Sequence, residues 1–273
     1  MLSWDAWLLE NELSVRLFFF FGILCLMATW EGLKPCRELH YSRWYRWRNN
    51  LALVFVNSLI LRLLFPVAAA GVALSMERQG YGLLNQFELP LVISVFVAVI
   101  LLDFLIYAQH VLFHKVPILW ALHKVHHADP DYDVTTGARF HPIEIILSML
   151  IKMLAIVALG PSAVAVIVFE ILLNGSAMFN HSNISLPTLV DKFVRILFVT
   201  PDMHRVHHSQ KRYETDSNYG FSLSCWDRIF KTYRPYPEDG QLGMKIGLTE
   251  LQAPESICSL RGMLILPFKR PSK

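Results

Sequence analysis

Ten of the chain's eleven histidines lie between His110 and His208, and most of them recur in compact groups. His110 and His114 stand four residues apart, His123, His126 and His127 form an H-x-x-H-H, and His204, His207 and His208 form a second one. His141 and His181 stand between these groups. On a helix turning about 100° per residue, an H-x-x-H-H spans an arc of only about 100°, so its three imidazoles leave from one face and can grip one metal. A lone helical histidine is ordinarily a hydrogen-bonded core or surface residue, and His40 fits that description. Eight histidines in three helix-compatible clusters do not, because burying them without ligation would strand many ring nitrogens.

Nitrogen ligands alone admit Zn, Fe, Cu or Ni. A structural zinc needs four closed ligands, whereas this many imidazoles can hold two metals and leave positions open for a small molecule. Two redox metals at a membrane surface suit an O₂ reaction on a lipid, since zinc has no redox chemistry with which to attack an unreactive C–H bond. The alternatives are a zinc-dependent membrane lipid hydrolase and a metal transporter or binding protein, although a transporter would carry its ligands nearer mid-membrane.

The elements that position these rings belong to a membrane protein. The 273 residues are 54% hydrophobic and 17% charged, against about 25% charged in a soluble domain. A formal net charge of +3 gives no argument for nucleic acid. The acidic first fourteen residues do not read as a cleavable signal, and the four cysteines lack C-x-x-C spacing. Ser14 to Trp30 reads as a first span, Leu51 to Met76 as a second kinked at Pro66, and a third starts near Leu89. Ile143 to Met178 reads as a hairpin broken at Gly160-Pro161. Between the first two spans, Lys34, Arg37, Arg43, Arg46 and Arg48 face one acid, Glu38, which marks a cytoplasmic interfacial belt. That assignment puts every histidine cluster on the cytoplasmic side. Thr200-Pro201 and Pro117 should start the helices bearing His204 and His123, and Asp129-Pro130 should end the latter.

Charged residues inside spans are costly, so each should have a partner or a function. Relative to Asp103, the residues Tyr107, His110 and His114 fall at about 40°, −20° and 20° on one helical face. Asp103 should therefore support a ligand imidazole or pair with Arg62 at similar depth, and the pair is the preferred expectation. Lys152 and Glu170 should come level across the hairpin and neutralise each other, with Glu170 a weaker candidate for a ligand or proton relay.

Five motifs carry a family resemblance: D-x6-H-x3-H-x4-LW-x2-H-x2-HH from Asp103 to His127, R-x-HP-x-E from Arg139 to Glu144, N-H-x-N from Asn180 to Asn183, TP-x2-HRVHH from Thr200 to His208, and NYG with WDRIF-x-TY from Asn218 to Tyr233. In this order they cover about half the chain and resemble the fatty acid hydroxylase and sterol desaturase superfamily. The resemblance implies an all-α integral membrane fold, with about four transmembrane helices under a cytosolic histidine-rich helical cap. It implies a single membrane domain, with an anchor region over residues 1–100, a catalytic region over 101–235 and a tail over 236–273. It further implies a histidine-bound di-iron site that uses O₂ and two electrons to hydroxylate or desaturate a lipid or sterol-like substrate. The electrons would come from a separate donor of reductase, ferredoxin or cytochrome type, since no dinucleotide fingerprint or heme-binding domain is recognisable.

Carried over by position, the ligands would be His110, His114, His123, His126, His127, His181, His204, His207 and His208. His141, Asp103 and Glu170 would be possible ligands or supports of ligands. Arg139 and Glu144 resemble a pair bracing their loop, and Asn218, Tyr219, Trp226 and Asp227 resemble packing around the last ligand helix. Two departures, Val111 where the family often has Arg and Lys231 where it often has Gly, leave the ligand pattern untouched.

Overall fold

The computed structural model describes residues 4–249 and 257–269, which form helices, turns and two isolated bridges. A short α1 (Trp4–Glu10) leads into α2 (Glu12–Leu33), followed by α3 (Arg43–Leu64) and α4 (Ala69–Gln79). Then come α5 (Leu91–Lys115), α6 (Pro117–His127), α7 (Pro142–Leu159) and α8 (Ala163–Asn180). By length and composition there are five candidate membrane spans, α2, the broken pair α3 and α4, α5, α7 and α8, one more than the about four expected. The difference arises because both arms of the hairpin are long and apolar enough to cross.

Local chemistry explains the boundaries. The second span starts at Arg43 rather than Leu51, because the Ser42 hydroxyl caps the helix by accepting from the Tyr45 amide. Pro66, which has no amide hydrogen, separates α3 from α4 completely instead of kinking one helix. At the hairpin, Gly160 ends α7 with φ +62°, a left-handed conformation that costs glycine nothing. Its Cα also lies against the Tyr81 carbonyl and the Asn85 side chain, where a Cβ would clash. Ser162 then caps α8 by accepting from the Ala165 amide.

The centre of the bundle is α8, with 56% of its span buried against 6–22% for the other four. Leu8 of α1, Ala69 and Ala73 of α4, Ile156 of α7 and Val164 and Ile167 of α8 form one apolar cluster at the hairpin end. Lys152 and Glu170 pair there as expected, and Arg16 of α2 adds a second cation to the same carboxylate. Glu170 thus joins three helices and lies outside the histidine groups. The expected Asp103–Arg62 pair does not form. Arg62 is exposed, and the Asp103 carboxylate instead accepts from the Ser222 and Leu223 amides at 3.3 and 3.2 Å and from Trp226 Nε1 at 2.8 Å.

Over the other end of the bundle lies a cap containing α6, α9 (Thr188–Leu197), α10 (Pro201–His207), α11 (Arg212–Thr215) and α12 (Cys225–Ile229). Ion pairs bind it to the spans. Arg46, assigned from sequence to an interfacial belt, is instead fully buried at the start of α3, donating to Asp129 at 2.8 Å through Nε and Nη2 and to Asp133 at 2.5 Å. Burial would raise the Asp129 pKa, but Arg46 and Arg139 hold it down at about 2. Glu31 of α2 accepts from the Val134 and Asn183 amides at 3.1 and 3.0 Å, tying two cap loops together. Residues 257–269 close the cap, packing Ile257, Met263 and Leu266 around Val125 and Leu53.

Candidate metal centre

Four elements deliver nine histidines to one buried volume. His110 and His114 sit one turn apart near the end of α5, and His123, His126 and His127 lie on α6, which Pro117 starts as expected. His181 terminates α8. Thr200 accepts from the Met203 amide to start α10, which carries His204 and His207 and ends at His208.

The rings separate into two groups: His110, His114, His123, His127 and His207 in one, and His126, His181, His204 and His208 in the other. Within each, the potential ligand atoms lie within 4.8 Å of one another, and all nine residues are buried. Each H-x-x-H-H therefore divides its rings between the groups, because α6 and α10 run past both. Neither triplet grips a metal by itself.

The Nε2 to Nε2 separations are 3.2 Å for His110–His123, 3.0 Å for His207–His110, and 3.1, 3.1 and 3.2 Å from His181 to His126, His204 and His208. Two nitrogens each about 2.1 Å from a shared ion are about 3.0–3.4 Å apart at octahedral to tetrahedral angles, so these distances fit donors converging on one metal. The opposite ring nitrogens supply a second indication. Nδ1 of His110, His181 and His207 faces the carbonyls of Tyr219, Ala177 and Ser217 at 2.7–2.8 Å. These carbonyls can only accept, so Nδ1 carries the proton and the Nε2 lone pair is left for a metal. His123 Nδ1 meets Glu144 Oε1 at 2.6 Å. Among the described residues, both ring nitrogens of His114 and His127 lack a hydrogen-bond partner, and a bound ion would engage one nitrogen of each ring.

Burial favours the neutral, ligating form of imidazole. It pushes His123 down to about 3 and His181 to about 4, and with the neighbouring rings it holds His126, His127, His204, His207 and His208 well below the usual histidine range.

His141 lies outside both groups, accepting from the Ile143 amide as the N-cap of α7. Arg139 and Glu144 do not pair with each other. Arg139 donates to the Val125 and Ile257 carbonyls, while Glu144 turns to His123. Asp103 touches no histidine, but it fixes the segment beginning at Ser222 that follows the Tyr219 carbonyl facing His110. Asp227 holds the other side of that segment, accepting from the Tyr219 and Gly220 amides at 2.8 Å. Asn218 donates to the Met203 carbonyl of α10 and the Tyr219 ring lies 5.6 Å from that of His207, so these two pack against α10, whereas Trp226 bonds Asp103 of α5 and Asp227 bonds the backbone at Tyr219 and Gly220. Lys231 has φ +60°, which explains why glycine suits that position.

Sequence reasoning missed Phe140, whose ring stacks on His126 with centroids 4.5 Å apart, and Asn57, whose Nδ2 donates to the Phe140 carbonyl at 2.9 Å. Both line a cavity of about 300 Å³ between α3, α5, α7 and α8. Its walls are mostly apolar, with Leu61, Ile106, Phe113 and Leu173 among them, and it reaches His110 and His123 of the five-histidine group. The local signal for Asn57 was its amide inside the apolar run from Leu51 to Leu61.

Comparison with known proteins bears on what this arrangement does. The family model described as fatty acid hydroxylase matches residues 95–232, which hold all nine clustered histidines. An alkylglycerol monooxygenase of Xenopus tropicalis is 34% identical over 145 residues, covering 52% of this chain and 31% of that protein. The human alkylglycerol monooxygenase is 30% identical over 147 residues, with the same coverage. Ornithine lipid hydroxylase OlsE of Rhizobium tropici is 24% identical over 234 residues, covering 82% of this chain and 69% of that protein. The chain thus spans about a third of the length of the alkylglycerol monooxygenases it matches. No solved structure matches it significantly. With half its length matched by the family model and the histidine groups inside that match, the chain belongs to the fatty acid hydroxylase family.

Proposed function

We propose that each histidine group holds one iron ion and that the protein is a membrane-bound, O₂-dependent hydroxylase, or desaturase, of a lipid or sterol-like substrate. The observation that carries this reading is the apolar cavity inside the bundle that ends on His110 and His123, a shape suited to an acyl or alkyl chain whose reacting carbon stops at the metal centre. The names of the relatives, which act on alkylglycerols and ornithine lipids, support a lipid substrate. Iron would supply the redox chemistry that turns O₂ on an unreactive C–H bond.

The chain's own part is placement and exclusion. Glu144 and the Tyr219 carbonyl orient His123 and His110, Phe113, Phe140 and Phe221 keep water from the reacting carbon, and the span helices align the chain. In hydroxylation one oxygen atom enters the C–H bond and the other leaves as water, consuming two electrons and two protons. The electrons come from a separate donor of reductase, ferredoxin or cytochrome type. In this reading the cap faces the cytoplasm, and the bonds of Arg37, in the basic loop, to the Gln241 and Met244 carbonyls on the histidine side of the bundle support it.

The test is purification under anaerobic conditions from iron-supplied cells, followed by reduction and exposure to ¹⁸O₂ with membrane lipid. Iron at both groups and ¹⁸O in a lipid product are expected. Lipid hydrolysis with zinc and no O₂ would replace this reading with a hydrolase, and metal flux in liposomes with a transporter.

A further inference from the structure

Helix α9 is built inside out for a helix facing water. Its two buried charges, Asp191 and Arg195, pair with each other against the protein, and Arg195 Nη1 donates to the Pro235 carbonyl at 2.9 Å. The Arg195 carbonyl accepts from Ser224 Oγ at 2.8 Å and from Arg228 Nη2 at 2.7 Å, so polar bonds hold this side down. The outward side is apolar: Leu189 is 70% exposed, Val190 46%, Phe193 74%, Ile196 64% and Leu197 52%. At 100° per residue these five fill an arc of about 120°. A water-facing helix places its charges outward and its apolar stripe inward.

This surface continues a lipid-facing one. Past the end of α9, Phe198, Ile229 and Phe230 are also exposed, and the Phe230 ring stacks on Phe104 and Tyr107 of α5 with centroids 5.8 and 5.4 Å apart. Phe104 lies near the middle of that candidate span, one residue from Asp103, which anchors the neighbouring Trp226. Twelve residues separate Asp103 from the Lys115 end of α5, about 18 Å at 1.5 Å per residue. The segment carrying α12 therefore descends along the flank of a membrane helix, and α9 is fastened to it. Lys192, exposed at the edge of the apolar arc, is placed to reach lipid phosphates.

We propose that α9 lies in the plane of the membrane, with Leu189, Val190, Phe193, Ile196 and Leu197 among the acyl chains of the leaflet on the histidine side. The position of α9 in the chain gives this contact a consequence for the metal centre. It joins His181, at the end of α8, to α10, whose residues and end supply His204 and His208, so it connects three of the four donors of the four-histidine group. Bilayer contact then holds that group together. The proposal rests on the membrane placement of the bundle and not on its chemistry.

Photolabelling of the wild-type protein tests the placement. The chain is reconstituted in phosphatidylcholine nanodiscs containing phosphatidylcholine with a diazirine in the acyl chain, illuminated, digested and read by mass spectrometry. Adducts are expected on Phe193 and Ile196 alongside the outward residues Phe18, Phe55 and Phe96 of the spans. Adducts on the spans with none between residues 188 and 198 overturn the proposal. Cross-links from α9 to α9 without lipid adducts also overturn it, assigning the face to a second copy, and adducts nowhere overturn the membrane placement as well. The consequence is tested with Phe193→Ser combined with Ile196→Ser, expected to retain at least twofold less iron than wild type after chelator challenge in nanodiscs. Equal retention removes the coupling, while the photolabelling needs no metal and stands apart from the oxygenase reading.

Discussion

Glu144 and Asp103 show how single carboxylates build this centre while lying outside both histidine groups. Glu144 reaches His123 Nδ1 at 2.6 Å, so it sets the ring's orientation and the basicity of Nε2. Glu144→Gln keeps the size and replaces the carboxyl group that meets His123, and it should weaken metal retention by about 10–100-fold while the protein stays folded. Metal content after dialysis against a graded chelator, with helicity followed in parallel, checks this; unchanged retention would remove Glu144 from the role. Asp103 gathers three donors from one stretch, residues 222–226, and Asp103→Ala would strand them away from water. With about 1–3 kcal/mol for each buried group left unsatisfied, a loss on the order of 3 kcal/mol is expected from unfolding in detergent. Arg62 is exposed, so Arg62→Met should change stability by less than about 0.5 kcal/mol, and the double mutant should show coupling near zero.

Between elements, the bundle relies on buried charge as well as apolar packing. Glu170 on α8 takes Lys152 from α7 and Arg16 from α2, locking three helices at one depth. Glu170→Gln leaves Lys152 without a counter-charge and Arg16 with only Glu12, where water is scarce, at a cost of about 3–5 kcal/mol by analogy with other broken buried pairs. Combining Glu170→Leu with Lys152→Met and Arg16→Leu should recover most of that loss, since an apolar replacement of a buried network is often neutral and the remaining member, Glu12, is partly exposed. Unfolding midpoints of the single and triple variants decide the matter; equal losses in both would show that shape, not charge, fixes these helices. Arg46 does the same work between α3 and the loop after α6, which is why a residue of an apparent surface belt is fully buried.

For the whole molecule, the two histidine groups tie α5, α6, α8 and α10 into one body. An ion that binds only the folded chain adds its binding free energy to stability, so chelation should lower the melting temperature and added metal should restore it. The division of the rings makes a sharper expectation. His126 belongs to one group and His207 to the other, so His126→Ala should cost one group's metal, and His126→Ala with His207→Ala should cost both. Metal counting on detergent-purified variants checks this, and complete loss from His126→Ala alone would mean that the two groups fill as one site.

Much of this was legible in one dimension. Eight of the nine clustered histidines, the Pro117 and Thr200-Pro201 helix starts, the Gly160-Pro161 hairpin and the Lys152–Glu170 contact all follow from spacing along a helix or across one tight turn, which are local quantities, while His181 was named only through the family resemblance. The tertiary structure decided what depends on distant segments. Asp103 meets Trp226 123 residues away, and His207 meets His110 at a separation of 97, so helical period could not name these partners. The same reason governs the histidines themselves. A triplet on one helical face was expected to hold one metal, but α6 and α10 cross the centre with α5 and the end of α8 on either side, and that crossing divides each triplet between two groups.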